Sequence, residues 1–308
     1  MLWRTLTVTD NPLVPLSLKQ TGARKSVTFR NGLTFSLTWH QFRILRDHYS
    51  LLSKYKIAQV EADLFKIADS RSEITCKSEL IPMMFDLMQD FTLRQIDGNY
   101  HLKSEKFELI GSLDMLFCVR ELRTGEYEYD YEGKVVLDVG GFEGESAAYF
   151  WQRGARKIVI YEPVAEHVEA LKRNINLNHI EAEIHQSGIG TIDGTQIINY
   201  EETDPGFGTL NTGSKQLEIQ ISQTSKVIEE SGADIAKFDC EGGEQSLVDV
   251  PAEVLQKIAF YIIEVHSPQI RAAILEKFQH AGFSLTKELT KQPTQFSVLA
   301  FKRASNRN

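Results

Sequence analysis

Cysteine is scarce in this chain of 308 residues, and the three present, Cys76, Cys118 and Cys240, are widely spaced. Neither a C-x-x-C metal spacing nor the even count of a secreted disulfide framework is there, so a reducing cytoplasm is the expected home. Also missing is any apolar run near the roughly 20 residues that span a bilayer. The opening MLWRTLTVTDNPLVPLSLKQ has no basic segment followed by a continuous apolar stretch, so no secretory signal is expected. Basic charge is in deficit: 34 Lys and Arg against 42 Asp and Glu leave −8 at pH 7. A phosphate backbone is gripped by a basic face, so nucleic acid is not the expected partner, although Arg153, Arg156 and Lys157 could form a local patch. No repeat and no low-complexity segment occurs. With 42% hydrophobic and 25% charged residues, the composition is that of a globular protein rather than a fibrous or disordered one.

What is there falls into two parts. In the first, residues 26–39 (SVTFRNGLTFSLTW) alternate apolar and polar around Asn31-Gly32, which predicts a hairpin with a two-residue turn. Ile57, Val60, Leu64, Ile67 and Ala68 fit one helical stripe, and Ile81, Met84, Phe85, Met88 and Phe91 fit another. The Met- and Phe-rich stripe reads as a helix packing into a core before it reads as a substrate-facing surface. Asp97-Gly98-Asn99 predicts a loop or second hairpin. From residue 111 onward, apolar runs at 135–139, 157–161, 184–186, 235–239 and 259–265 alternate with helical stretches such as 165–177 and 251–258. That alternation predicts βαβ units and a doubly wound α/β sheet. Residues 283–287 and 296–302 have no helix between them and are expected to form an antiparallel hairpin at the sheet's edge. The domains so read are a smaller α+β region, 1–110, and an α/β domain, 111–308.

The strongest local signal is the run from Val135 to Ser146, VVLDVGGFEGES, a buried strand entering a glycine turn and then a helix. Glycine lets the chain turn sharply and lets a ligand approach the main chain. In parallel sheets ligands bind at the carboxyl ends of strands, where the strand order reverses. Glu162 stands directly after the second strand, where a carboxylate can accept the hydroxyls of a ribose. A nicotinamide fingerprint reads G-x-G-x-x-G and cradles a pyrophosphate. Here the pattern is D-x-G-x-x-x-G (Asp138, Gly140, Gly144), with Glu143 and Glu145 inside the turn. Three carboxylates would repel a pyrophosphate and suit a ligand with a sulfonium and an amino group. The pattern favours S-adenosylmethionine over NAD.

A second strand end, Lys237-Phe238-Asp239-Cys240-Glu241-Gly242-Gly243-Glu244, is expected beside the first, opening on the same crevice. Tyr261-Ile262-Ile263-Glu264-Val265-His266 brings another carboxylate and a histidine to that rim. Cys240 is a poor nucleophile candidate, because the flanking carboxylates raise its pKa.

These motifs, in this order, resemble those of the FkbM family of methyltransferases. The family's K-x-D-x-E-G-x-E signature is matched by Lys237, Asp239, Glu241, Gly242 and Glu244. VVLDVGGFEGESAAYF is similar to its first motif, GARKIVIYEPVAEHVEALKRNINLN to its second, and Glu264 to His266 fits the E-x-H ending of its fifth strand. The likeness covers roughly residues 111–302, and the RNGLTF stretch is similar to what precedes the catalytic domain in some members. Cys240, Gly243 and Gly141 stand where Val, Ala and Ala are more usual.

The resemblance implies a Rossmann-like methyltransferase fold and methyl transfer from S-adenosylmethionine to an acceptor, most often a hydroxyl. The acceptor so implied is a small molecule or glycan, with an RNA or protein methyltransferase, or a cofactor-binding module without chemistry, as alternatives. Cofactor contacts are expected from Asp138, Gly140, Gly141, Gly144, Glu162, Ser187, Gly188 and Asp239, the serine and its neighbouring glycine lying where this class contacts adenine. A hydroxyl needs a base within hydrogen-bond reach, and Asp239, Glu241 and His266 are the candidates. His266 has the pKa best matched to neutrality, although acids crowded around it would keep it protonated. No metal is expected. The glycine-rich segment 204–209 has the composition of a loop that can close over substrate, and the first 110 residues are expected to help form the acceptor site or an oligomer contact.

Overall fold

A computed structural model describes residues 7–11, 13–200, 215–291 and 296–304; the segment 204–209 lies outside them. The chain divides into two compact units, Met1–Glu105 and Lys106–Asn308. No helix among the described residues is long and apolar enough to cross a membrane.

In the first unit, helix α1 (Leu13–Thr21) precedes the antiparallel pair β1 (Lys25–Thr28) and β2 (Thr34–Leu37), whose alternation buries Val27, Phe35 and Leu37. The turn is one residue longer than Asn31-Gly32 predicts. Phe29 N–H donates to the Leu33 carbonyl (2.8 Å) and Gly32 N–H to that of Phe29 (2.9 Å), so three residues close the hairpin, with Gly32 at φ +84° as the left-handed member. Helix α2 (Trp39–Asp47) starts at a capping box of Thr38 and Gln41, and the short α3 (Tyr49–Leu52) follows.

The helical stripe expected over residues 57–68 does not exist. The chain there forms β3 (Lys56–Gln59) and β4 (Leu64–Ala68), joined antiparallel and continued by β5 (Glu73–Lys77). Ile57, Phe65, Ile67, Ile74 and Cys76 point inward with period two, while Val60 is exposed at the turn. Helix α4 (Ile81–Asp90) does form where the Met-rich stripe predicts it and buries Met84, Phe85 and Met88 in the core of its unit. Strands β6 (Thr92–Ile96) and β7 (Asn99–Lys103) pair about Asp97-Gly98, both at positive φ, a two-residue turn of the primed kind.

The second unit opens with β8 (Glu108–Gly111) and α5 (Leu113–Leu122), capped by Ser112. Then follow β9 (Val135–Val139), α6 (Glu145–Trp151), β10 (Lys157–Tyr161), α7 (Ala165–Leu177) and β11 (Ala182–His185). After β12 (Gly188–Gly190), β13 (Gly194–Tyr200) and β14 (Lys215–Gln223) come α8 (Thr224–Ser231), β15 (Ile235–Phe238), α9 (Ala252–Leu255), β16 (Phe260–Val265), α10 (Pro268–His280), β17 (Phe283–Lys291) and β18 (Phe296–Arg303). A seven-stranded sheet runs β11-β10-β9-β15-β16-β18-β17. Its first five strands are parallel, β18 is antiparallel to β16, and β17 closes the edge as the expected hairpin. The order reverses between β9 and β15, the switch point at which α/β sheets bind ligands. Every residue of β9 and β16 is buried, as befits strands covered on both faces. The helix expected over 251–258 is shorter, because Pro251 starts it and the chain leaves the helix after Leu255. A further three-stranded sheet, β12-β14-β13, stands after β11 and is not foreshadowed by any apolar run.

Candidate active site

The turn after β9 is pinned to β10 by main-chain bonds: Gly140 and Gly141 N–H both donate to the Tyr161 carbonyl, at 2.8 and 3.3 Å. Gly140 has φ +84°, and a Cβ there would lie 1.8 Å from the Asp239 carbonyl oxygen, so the turns after β9 and β15 lie back to back with no room for a side chain. Lys237 fastens the two together. Its Nζ donates to the Gly140 carbonyl (2.6 Å) and stands 3.3 Å from Asp138 and 3.6 Å from Asp239. Burial opposes the charge on this lysine, but Asp138, Asp239 and Glu145 outweigh it and hold the ammonium more firmly than in a free lysine.

These turns floor a cleft of about 670 Å³ at the carboxyl ends of β9, β10, β15 and β16. Of the cofactor residues expected from the sequence, Gly140, Glu162, Gly188 and Asp239 line it; Asp138, Gly141, Gly144 and Ser187 do not. Asp138 is wholly buried behind the wall, bonded to the Ser146 hydroxyl (2.6 Å) and set against Lys237. Gly141 and Gly144 pack on Ile160 and Leu171, and Ser187 is taken up by Ser222 and the Gln220 carbonyl. Glu143, counted among the three carboxylates of the turn, faces away and accepts from Ser112 N–H (2.8 Å). Glu162 accepts from Phe142 N–H, Val164 N–H and His167 Nδ1 at 3.0 to 3.1 Å, which leaves roughly one of a carboxylate's four acceptor positions for a ligand.

The three catalytic candidates do come together. His266 Nε2 is 3.7 Å from Asp239 and 3.6 Å from Glu241, while its Nδ1 is 3.0 Å from the fully buried Glu244. Glu244 also accepts from the His266 and Gly242 main-chain N–H groups, at 3.1 and 2.8 Å. Burial alone would lower the His266 pKa, but the Glu244 bond and the charges of Glu241, Glu244 and Asp239 raise it to about 9. At neutral pH it is therefore a cation rather than a base. Burial pushes the Glu241 carboxyl up to about 7, with His266 pulling it back and Asp239 and Glu264 adding to the rise. Glu241 sits at φ +52°, a conformation rare for a residue with a side chain, next to Gly242 at +105°. Ligand atoms of Asp239, Glu241 and His266 lie within 4.8 Å of one another, a spacing at which such side chains can share a cation. Burial and Glu244 drive the Cys240 thiol well above its usual range, which makes it a poor nucleophile.

Several lining residues carry no sequence signal that separates them from structural ones. Cys118, Glu121 and Leu122 of α5 and Tyr127 line the cleft, together with Glu145, one of the three carboxylates read at the glycine turn. Glu145 is 5% exposed and its Oε2 has no hydrogen-bond partner. Burial raises its carboxyl to about 8. Lys237 entered the sequence reading as the first residue of the K-x-D-x-E-G-x-E pattern, not as the link between two turns.

No protein-family profile matches the chain, and no curated protein matches it in sequence. Among solved structures, Aeropyrum pernix fibrillarin in complex with S-adenosyl-L-methionine is similar at 10% identity over 80% of this chain and 99% of its own, TM-score 0.39. The B. subtilis M1A22 tRNA methyltransferase shares 16% identity over 59% of this chain and 65% of its own, TM-score 0.37. A ribosomal protein L11 methylase from Lactobacillus delbrueckii subsp. bulgaricus shares 14% over 59% and 76%, TM-score 0.36. Overlaps of this size bear on neither substrate nor chemistry.

Proposed function

We propose that this chain is an S-adenosylmethionine-dependent methyltransferase that methylates a hydroxyl of a small molecule or glycan, and that its kin are the FkbM methyltransferases. The observation that carries this reading is the acidic cleft at the switch point of a parallel sheet, walled by Glu162, Asp239, Glu241 and Glu264. Such a wall repels a pyrophosphate or a nucleic-acid backbone and attracts a ligand bearing a sulfonium and an ammonium. The cleft's volume suits a nucleoside-sized ligand. Three free cysteines fit a cytoplasmic setting.

When bound, S-adenosylmethionine supplies an electrophilic methyl carbon. Glu162 would hold the ribose edge through its remaining acceptor position. Glu241, poised near 7, takes the acceptor's hydroxyl proton, and the cationic His266 beside it steadies the carboxylate before that transfer. Lys237 keeps the two turns in fixed register, so that the base and the cofactor turn move as one.

Calorimetric titration with S-adenosylhomocysteine and with NADH tests the cofactor. Micromolar binding of the first alone, weakened about tenfold in Glu162→Ala (about 1.4 kcal/mol), is the expected result. Failure of S-adenosylhomocysteine to bind would overturn the reading.

A further inference from the structure

We propose that Phe142 is a ribose-contacting residue: its ring forms the apolar face on which the cofactor's ribose lies while Glu162 holds a hydroxyl. This rests on the methyltransferase reading above. The turn after β9 carries three left-handed residues, Gly140 at φ +84°, Phe142 at +41° and Gly144 at +96°. The two glycines adopt that backbone freely. A phenylalanine adopts it only against a conformational cost, and such outliers gather where a ligand is clamped. Core burial does not explain this one. Phe142 is half-buried, and it lines the cleft beside Glu162, Pro163, Val164 and His167.

What the conformation achieves is local. Phe142 N–H donates to Glu162 Oε2 at 3.0 Å, and Glu162 Oε1 accepts from His167 Nδ1 at 3.1 Å. The His167 and Phe142 rings then meet edge to face, 4.5 Å between centroids and 72° apart in plane. These contacts close a circuit around the carboxylate. Left-handed backbone at residue 142 lets one residue give its amide to Glu162 and its ring to His167.

The carboxylate so fixed also accepts from Val164 N–H, which leaves roughly one of its four acceptor positions. One position holds one hydroxyl of a ribose, not two. A second hold has to come from elsewhere, and the sugar offers one, since its C–H edges are weakly apolar and pack against the negative face of an aromatic ring. Phe142 supplies that ring in the same stretch of the cleft as the carboxylate. Its strain is then the condition for a sugar site built before the ligand arrives.

The test titrates the full chain calorimetrically with S-adenosylhomocysteine, adenosine and adenine, which lose first the amino-acid tail and then the ribose. Phe142→Asn keeps the main-chain amide and suits left-handed backbone. It is expected to weaken S-adenosylhomocysteine and adenosine by the same factor, about tenfold, and to leave adenine as it was. The melting temperature of the ligand-free variant should hold or rise, because strain is relieved. Phe142→Leu, which keeps apolar bulk without the ring, should weaken the two nucleosides severalfold, and serves where the asparagine variant does not fold. Unchanged affinity for S-adenosylhomocysteine overturns the proposal. So does a loss for S-adenosylhomocysteine that spares adenosine, because the ring then meets the amino-acid tail. A melting temperature lowered by several degrees, with all three ligands weakened, overturns it as well and marks Phe142 as a packing residue. If wild type does not bind S-adenosylhomocysteine at all, it is the methyltransferase reading that falls.

Discussion

Lys237 is a charge placed where the neighbouring side chains Ile235, Ala236 and Phe238 are all buried. Removing it strands Asp138, which is wholly enclosed, so Lys237→Met is expected to cost about 3–5 kcal/mol in chemical denaturation. Adding Asp138→Asn should recover a good part of that loss, and strictly additive costs would refute the pairing. Protonation gives a second expectation. His266 is raised from 6.5 to about 9, so its contribution is fully present below 6.5 and is lost as pH rises through 9. Glu241 and Glu145, raised from 4.5 to about 7 and about 8, act with the same sign over 4.5 to 8. Unfolding free energy should therefore fall between pH 6.5 and 9, by about 3 kcal/mol at most from the histidine, and His266→Gln should flatten that slope. The individual ligand roles were the least legible in the sequence. Asp138 and Glu143 looked like cleft carboxylates because they flank the glycine turn, yet Ser146, Lys237 and Ser112 engage them from within. Glu145 drew no separate notice, since nothing in a linear string says which first-turn side chain of α6 is turned inward without a partner.

Among elements, α7 and β8 depend on two asparagines. Asn174, with no exposed surface, accepts from Ile110 N–H (2.9 Å) and donates to the Ile110 and Glu143 carbonyls (3.1 and 2.7 Å). Asn178 does the same for Glu108, accepting at 2.8 Å and donating at 2.6 Å. Asn174→Ala takes a partner from the Ile110 N–H and the Glu143 carbonyl, while the Ile110 carbonyl keeps the Arg173 guanidinium (2.9 Å), so at about 1–3 kcal/mol for each stranded group a loss of a few kcal/mol is expected. The Ile110 amide should then exchange hydrogen far faster in solution than in wild type; unchanged protection there would refute the link. The parallel strands were legible because burial on both faces writes them as continuous apolar runs. Residues 57–68 were misread because Ile57, Val60, Leu64, Ile67 and Ala68 satisfy a helical period by coincidence. The two strands there are joined by the turn around Glu61, Ala62 and Asp63, which resets the phase of the alternation. Strands β12 to β14 escaped notice because β12 is only three residues long with glycine at both ends, and Ile197 on β13 is exposed rather than core-facing.

At the scale of the molecule, a ligand that binds only the folded cleft must raise the unfolding temperature. S-adenosylhomocysteine at about 100 times its dissociation constant should add about 2.7 kcal/mol to the unit that holds the site. For roughly 200 residues that is about 5–10 °C in a calorimetric scan, and NADH at equal concentration should give no shift. The Rossmann-like sheet was readable from the strand-helix alternation that begins near residue 111. The acidity of the cleft was only half readable, since a net charge of −8 says nothing of where the charges gather. The missing side chain at Gly140, with Asp239 pressed against it, bears on how such an enzyme can diversify. Two loops in van der Waals contact cannot be inherited or re-engineered separately: a lineage acquiring a new acceptor by remodelling the loop proposed to bear the base would drag the proposed nucleotide grip along. Novelty in substrate choice should therefore accumulate on α5 and the segment after it, which can drift without disturbing that joint.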